Sequence, residues 1–550
     1  MSTPTSTPST DQRIEAQGTA RALGLVSVAI LCSRLLGLVR EVMLSALFGS
    51  KENQKWLDCL YMAFKAPNML RDLFAEGALS TAFVTVFSKK IQTEGDAAAW
   101  KLGQKMMTLA AVFMTGISIL GVLLAPWIIG LLANGWQGAT PEKVEFTITL
   151  AKIMYPFILL VSLAALVMGM LNAKKVFFIP AISSTFFNIG SMAAGGGLGW
   201  WLDPAFGKTA VICFAAGTLV GGLLQLLVQL PALKKIGFKF AADFQWKDSG
   251  VKRTLELMWP AIVSGSVVQV NVLLNTIFAS HVVGDGPVTW LNNAFRLMQL
   301  PLGLFGVGLA TVSLPSLSRM AINGISDDFR VTLNKALRMG ALLSLPSAVG
   351  LAMLAEPIMS VIFEHGRARE NELLIPMSAL ALQTYSIGLV FYSGLKVLQP
   401  AFYAIEKRFI PLIVSIICVV TSGALNYLFV MQFKLGHQYL ALSTSISAAL
   451  NMGLLFYFMN KYANGIGGRK LLSTGLKLGL SALVMAGICW AAQVTLLAGW
   501  QGYAFWLRCL ALSLTIGLAA VAYFGSNMLL KNEEVDDFLG GLKRRVKRRA

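Results

Sequence analysis

Apolar stretches long enough to cross a bilayer recur along the 550-residue chain, separated by short polar joints. A spanning helix needs about 20 residues. Reading runs against joints predicts about fourteen helices, at 23–48, 56–90, 102–133, 146–171, 176–202, 209–232, 254–281, 288–320, 331–363, 373–403, 409–432, 438–461, 472–497 and 504–530. The predicted class is an all-α membrane protein. It has two pseudo-symmetric six-helix lobes at 21–233 and 254–463, joined by a polar linker at 234–253, and two additional helices within 464–532. A Ser/Thr/Pro-rich segment at 1–20 reads as a disordered cytoplasmic tail, and 533–550 as a basic one.

An internal repeat supports the two lobes. Ala173-KKVFFIP ends at Pro180 and Ala404-IEKRFIP ends at Pro411, 231 positions apart. Tyr155 and Tyr385 stand 230 apart, and Pro67 and Pro301 stand 234 apart. Several matches near one offset mark a duplicated unit. An offset of six helices makes the halves parallel, the layout of transporters that rock two lobes about a central site. A channel can share that layout, so the repeat alone does not decide function.

Composition sharpens this picture. Hydrophobic residues make up 56% of the chain and charged residues 13%, against about 25% charged in a soluble domain. A soluble protein is excluded. The net charge of +19 then belongs to loops that set orientation and meet anionic lipid headgroups, not nucleic acid. Lys89, Lys90, Lys174, Lys175, Lys234, Lys235, Lys407, Arg408, Arg469 and Lys470 all fall in even-numbered joints. The positive-inside rule therefore predicts both termini in the cytoplasm. The six cysteines are scattered without paired spacing and read as small buried hydrophobes, with no metal site. His281, His365 and His437 lie near helix ends and read as surface residues.

The informative chemistry is charge inside apolar helices. The first predicted helix carries Arg34, Arg40 and Glu41, and the second Asp58, Lys65, Arg71, Asp72 and Glu76. The eighth carries Arg296 before Pro301, and the tenth Lys396 before Pro400. An ionised side chain at mid-membrane costs several kcal/mol and persists when it is paired or faces water or a charged ligand. Pairing suits Arg40, Glu41, Arg71 and Glu76, with Asp58 and Asp72 as further acids. Snorkelling suits Lys65 and Lys396. The basic excess falls on Arg34, Arg71 and Arg296, the strongest candidates for a ligand. Arginine suits phosphate, because its planar fork bonds two oxygens at once and stays charged. Pro67 and Pro301 release backbone groups near these arginines, while Ser33 and Asn68 add neutral donors. The expected ligand is an anionic, lipid-linked molecule. A multidrug exporter for cations would carry cavity acids instead, and a lipid-sugar enzyme would need an acidic metal motif that the sequence lacks.

Five segments carry a resemblance: Ser33-Arg34-LLGLVRE, FKAPNMLRDLFAEGALSTAFV (64–84), LPALKKIGF (230–238), FRLMQLP (295–301) and LPSLSR (314–319). Together they resemble the MurJ (MviN) lipid II flippases of the multidrug/oligosaccharidyl-lipid/polysaccharide exporter superfamily, over about 22–530. The resemblance implies a fourteen-helix transporter, not an enzyme, in the bacterial inner membrane. Its function would be to move lipid II, undecaprenyl-diphosphate-MurNAc-pentapeptide-GlcNAc, to the periplasmic leaflet for peptidoglycan synthesis. It also implies that the last two helices form a groove for the lipid tail. Arg34, Arg40, Arg71 and Arg296 match the family's cavity arginines, and Ser33, Asp58 and Glu76 match as well. Membrane potential is the expected drive, with no cofactor. Besides lipid II and membrane lipids, cell-wall synthesis or division proteins are expected partners. The alternative is a flippase for another polyprenyl-diphosphate-linked oligosaccharide. Two departures follow. Gln299 stands where the family often has an acid, so pairing at Arg296 must differ. Asn426 has no acid nearby, so the sodium site of some members is not expected.

Overall fold

The computed structural model describes the backbone of residues 10–138, 140–306, 316–321 and 324–547. Side chains are described within these except at 10–25, 27, 75–78, 264, 306 and 541–547. Every regular element among the described residues is helical. The chain divides into two compact units, Met1–Leu44 with Lys55–Gln269, and Ser45–Gln54 with Val270–Ala550.

The first unit holds most of α1 (Thr10–Phe48), α2 (Gln54–Leu70), α3 (Ser80–Glu94), α4 (Asp96–Leu132), α5 (Pro141–Met154), α6 (Phe157–Ala173), α7 (Phe178–Leu202), α8 (Lys208–Leu227) and the short α9 (Leu230–Lys235). α1 starts earlier than expected and takes in part of the segment read as a tail. Phe83, Phe87, Leu102, Met106, Leu166 and Met170 form one buried cluster, and Phe157, Val161, Ala165 and Phe187 another. α7 and α8 approach backbone to backbone. A Cβ on Gly217 would stand 2.7 Å from the Gly195 nitrogen, so only glycine permits this packing. Trp200 and Trp201, at the end of the same helix, are exposed, as interfacial residues are.

α10 (Ser249–His281) crosses the division between the units, with a bend of 41° between Ser249–Val263 and Gly265–His281. The second unit continues with α11 (Pro287–Pro301), α12 (Asp327–Met353), α13 (Ala355–Phe363), α14 (Leu374–Ala404), α15 (Phe409–Asn426), α16 (Gln438–Tyr462), α17 (Gly468–Val494), α18 (Phe505–Leu529) and α19 (Glu533–Lys547). Among the described residues nine helices are long and apolar enough to span a membrane, or ten counting the bent pair.

The repeat read from sequence has a backbone counterpart. α6 ends at Ala173 and α14 at Ala404. Lys175 (φ 62°) and Glu406 (φ 59°), 231 positions apart, both adopt the left-handed conformation without being glycine. In both turns a reverse hydrogen bond closes the helix, Val176 N–H to Leu171 O and Lys407 N–H to Phe402 O, each at 2.9 Å.

Ion pairs fasten the polar segments. Asp248 in the loop before α10 accepts from Lys105 Nζ at 3.0 Å and from the Gly250 N–H at 2.8 Å. The segment expected as a basic tail begins as helix α19, docked by its acidic first turns. Glu534 pairs with Arg338, and both are buried. Glu533 reaches Lys470 at 2.8 Å, and Asp537 pairs with Lys335. His437, expected at the surface, is buried instead. Its Nε2 lies 2.7 Å from Met377 O, and its ring packs on Trp290.

Removing one partner of a buried ion pair costs roughly 3–5 kcal/mol. Glu534→Gln should therefore loosen α19, seen as faster tryptic cleavage after Lys531; wild-type cleavage rates would count against the docking. A second prediction concerns acid. Burial favours the neutral form of Asp248, but the Lys105 and Gly250 hydrogen bonds and the field of Lys90 outweigh it, holding the carboxyl below its ordinary value. Its stabilisation is complete above the ordinary carboxylate pKa and is lost as pH falls through the lowered one. Asp248→Asn should lower the thermal midpoint at neutral pH and flatten its decline in acid. An unchanged acid slope contradicts this.

Candidate functional site

α1 and α2 bring the sequence-predicted charges of the first unit to two places. At the first, Arg40 Nη2 donates to Glu41 Oε1 at 2.9 Å, and its guanidinium lies 5.4 Å from the centre of the Phe187 ring. Glu41 is 1% exposed and also accepts the Tyr61 hydroxyl at 2.6 Å. A charge removed from water needs this degree of compensation. Arg40 Nε has no hydrogen-bond partner among the described residues and lines a small cavity of about 30 Å³ with Tyr61, Ser191 and Thr218. That is room for one water molecule. Arg40 is thus locked by its own helix and by Phe187, in line with the pairing expected of it.

The second place lies where α2 loses its regular pitch. Pro67 has no N–H to donate, and the chain then winds as a π-helix over Arg71–Leu79 before α3 resumes. Arg71 stands at the first position of that wide turn. Its Nε and Nη2 donate to Asp72 Oδ1 at 3.1 and 2.8 Å, and Asn68 Nδ2 reaches Asp72 Oδ2 at 3.4 Å. Arg71 therefore has the neighbouring acid as partner, which corrects the reading that placed it in the basic excess. The pair is 23% and 33% exposed, which leaves the guanidinium open to exchange. π-turns inside α-helices often mark functional sites.

Arg34 differs from both. It sits mid-way along an apolar run of α1 as an exposed side chain, and it makes no ion pair with a described residue. Ser33 turns its carbonyl to Asn188 Nδ2 at 3.3 Å, which ties α1 to α7 one residue before Arg34. Asp58 is fully buried in α2, and Lys65 is half-buried two residues before Pro67. The side chain of Glu76 lies outside the described residues.

In the second unit Arg296 is half-buried on α11, followed by Gln299 and Pro301. After Pro301 the chain again winds as a π-helix, Leu302–Gly306. Proline followed by a π-helix beside an arginine thus recurs in both units. Lys396 is exposed on α14. Asn426 Nδ2 donates to Asn275 Oδ1 at 2.7 Å, and Asn426 Oδ1 accepts from Ser443.

Sequence reading missed Tyr61, Phe187 and Asn188, which hold Arg40 and the backbone at Ser33. Tyr61 had a signal, a hydroxyl one helical turn after Asp58 in an apolar run. Phe187 and Asn188 had none, because their roles depend on how α7 packs on α1.

Comparison with known proteins agrees with the architecture. The chain matches the family model described as "Lipid II flippase MurJ" over residues 44–510. It is 36% identical to a lipid II flippase MurJ of Burkholderia cenocepacia over 477 residues, 86% of this chain and 90% of that one. It is 33% identical to a probable lipid II flippase MurJ of Vibrio cholerae over 514 residues, 92% and 95% of the two chains. Among solved structures it is similar to a lipid II flippase MurJ in an inward closed conformation, with a TM-score of 0.73 at 25% identity, covering 92% of this chain and 99% of that one. An inward-facing multidrug MATE transporter shares the fold, with a TM-score of 0.65 at 15% identity over 82% and 98% of the chains. The chain therefore belongs to the MurJ family of lipid II flippases.

Proposed function

We propose that Arg34, Arg71 and Arg296 hold the diphosphate of lipid II while it crosses the membrane, and that Arg40 sets the shape of α1. The observation that carries this reading is the recurrence of an arginine beside a proline and a π-helix in both units. A proline removes one backbone donor, and the widened turn that follows changes the direction in which neighbouring side chains project. Arginine supplies the planar, permanently charged fork that diphosphate oxygens accept. Arg34, without an ion pair among the described residues, contributes attraction for an anion. Ser33 and Asn68 belong to the same surroundings as secondary polar groups, and Lys65 and Glu76 as supporting charges.

The cycle we infer is alternating access in the inner membrane with both termini cytoplasmic. This is supported by Lys and Arg recurring in alternate joints. Membrane potential supplies the bias, since one charge moved through 100 mV is worth about 2.3 kcal/mol. Asn426 is engaged by neutral side chains, and we propose no sodium coupling. The two helices α17 and α18 are proposed to bear the lipid tail, for which their exposed leucines, Leu480, Leu483, Leu510 and Leu514, offer apolar surface. Cell-wall synthesis or division proteins are proposed to meet the cytoplasmic loops.

In a strain depleted of its own flippase, the wild-type chain should restore growth. Arg34→Ala and Arg296→Ala should fail at normal expression, while Arg40→Lys should retain partial function through its preserved pair with Glu41. Full rescue by both alanine variants would remove the arginine mechanism. Collapsing the membrane potential in energised vesicles should slow lipid II flipping by several-fold or more; an unchanged rate would rule out the proposed drive.

A further inference from the structure

At the end of α17 and α18 far from the basic terminal helix, the second unit holds a polar cavity of about 280 Å³. Ser360, Glu364, Arg369, Tyr503 and Arg508 line it. Arg508 is held rigidly. Its Nη1 donates to Glu364 Oε2 at 3.0 Å, its Nε to Tyr503 O at 3.1 Å and its Nη2 to Gln501 O, with its plane 5.3 Å from the centre of the Trp500 ring. Glu364 is consumed by this pair and by the Ser360 hydroxyl. Arg369 donates its Nε to Glu364 O at 3.2 Å, while both of its Nη groups have no partner among the described residues. One acid against two arginines leaves the lining positive. α18 also starts at Phe505, so its positive end opens here.

The depth of the cavity is set by its neighbours. Trp506 is 80% exposed, and Trp500, Tyr503 and Phe505 cluster with it where α18 begins, ahead of the outward leucines. Such an aromatic belt sits at headgroup level. A positive, polar pocket at that level meets lipid phosphates, and the lipid acyl chains would run along the exposed apolar face of α18. Neither Arg369 nor Arg508 is among the arginines proposed to hold the diphosphate, so this pocket is a second phosphate site beside the apolar face of α18. We propose that the cavity binds the phosphate group of a lipid headgroup, using the Nη groups of Arg369 and the two remaining N–H bonds of Arg508.

The test uses the purified full chain in detergent and native mass spectrometry. Dioleoyl phosphatidylglycerol is the probe, and dioleoylglycerol, with the same acyl chains and no phosphate, is the control. The wild type should retain the phosphatidylglycerol and not the control. Arg369→Gln and Arg508→Gln should each lower its affinity about tenfold, as expected for losing a charged hydrogen bond, whereas Arg34→Gln should not. Arg369→Gln keeps the Arg508–Glu364 pair, so it remains informative if Arg508→Gln misfolds. Equal retention of the two lipids, or wild-type affinity in Arg369→Gln, would overturn the proposal. Competition separates the sources of phosphate. Displacement by inorganic phosphate at equal concentration assigns a free-anion site, and displacement by a polyprenyl diphosphate at lower concentration assigns the transported lipid. Displacement only by further phosphatidylglycerol assigns the bilayer.

Discussion

The cost of an ionised side chain in an apolar phase governs this molecule. Each charge inside the helices must be compensated locally or left facing something polar, and the chain uses both solutions. Arg40 is closed off by Glu41, Tyr61 and Phe187. Arg338 is closed off by Glu534, and Arg508 by Glu364 with two backbone carbonyls. Arg71 occupies a middle state, paired with Asp72 but partly exposed. Arg34 stands at the other limit, exposed and without an ion pair among the described residues. The gradation runs from charges closed off inside the fold to charges left partly or wholly exposed.

The backbone obeys the same constraint. A peptide group without a partner is as costly in lipid as a lone polar side chain, so a helix break persists only where it faces protein or water. Proline followed by a π-helix occurs at Pro67 and again at Pro301. The turns after α6 and α14 end alike, with left-handed Lys175 and Glu406 at positions 231 apart. Two non-glycine residues retain a conformation that costs roughly 1–2 kcal/mol, because the reverse hydrogen bonds at 2.9 Å depend on it.

Most of the fold was legible in the chain, because spanning segments must be apolar for about 20 residues and their joints polar. The starts at Phe178, Phe409 and Phe505 fall within a few residues of the expected ones. Where the reading differed, tertiary contact was the cause. The acidic turn of 533–537 reads as solvated until Arg338, Lys335 and Lys470 are placed against it. His437 reads as exposed until Trp290 covers it. At the candidate site, residue types and helix breaks were legible, but partners were not. Asp72 is adjacent to Arg71 in sequence, and the structure shows the two side chains paired at the start of the π-turn.

A flippase must release what it binds, and on the proposed reading of Arg71 as a diphosphate ligand its pair with Asp72 offers a physical means. A guanidinium with no internal partner gains the full charge-assisted bond to diphosphate, and the complex is correspondingly slow to dissociate. When an internal acid already holds it, binding becomes an exchange in which diphosphate displaces a carboxylate, and the net gain is the difference between two similar interactions. Asp72 then repels the phosphate from close range and takes the arginine back on release. On the proposed reading, Arg34 supplies attraction and Arg71 supplies reversibility. Binding is thereby kept weak enough for the headgroup to leave on the other side.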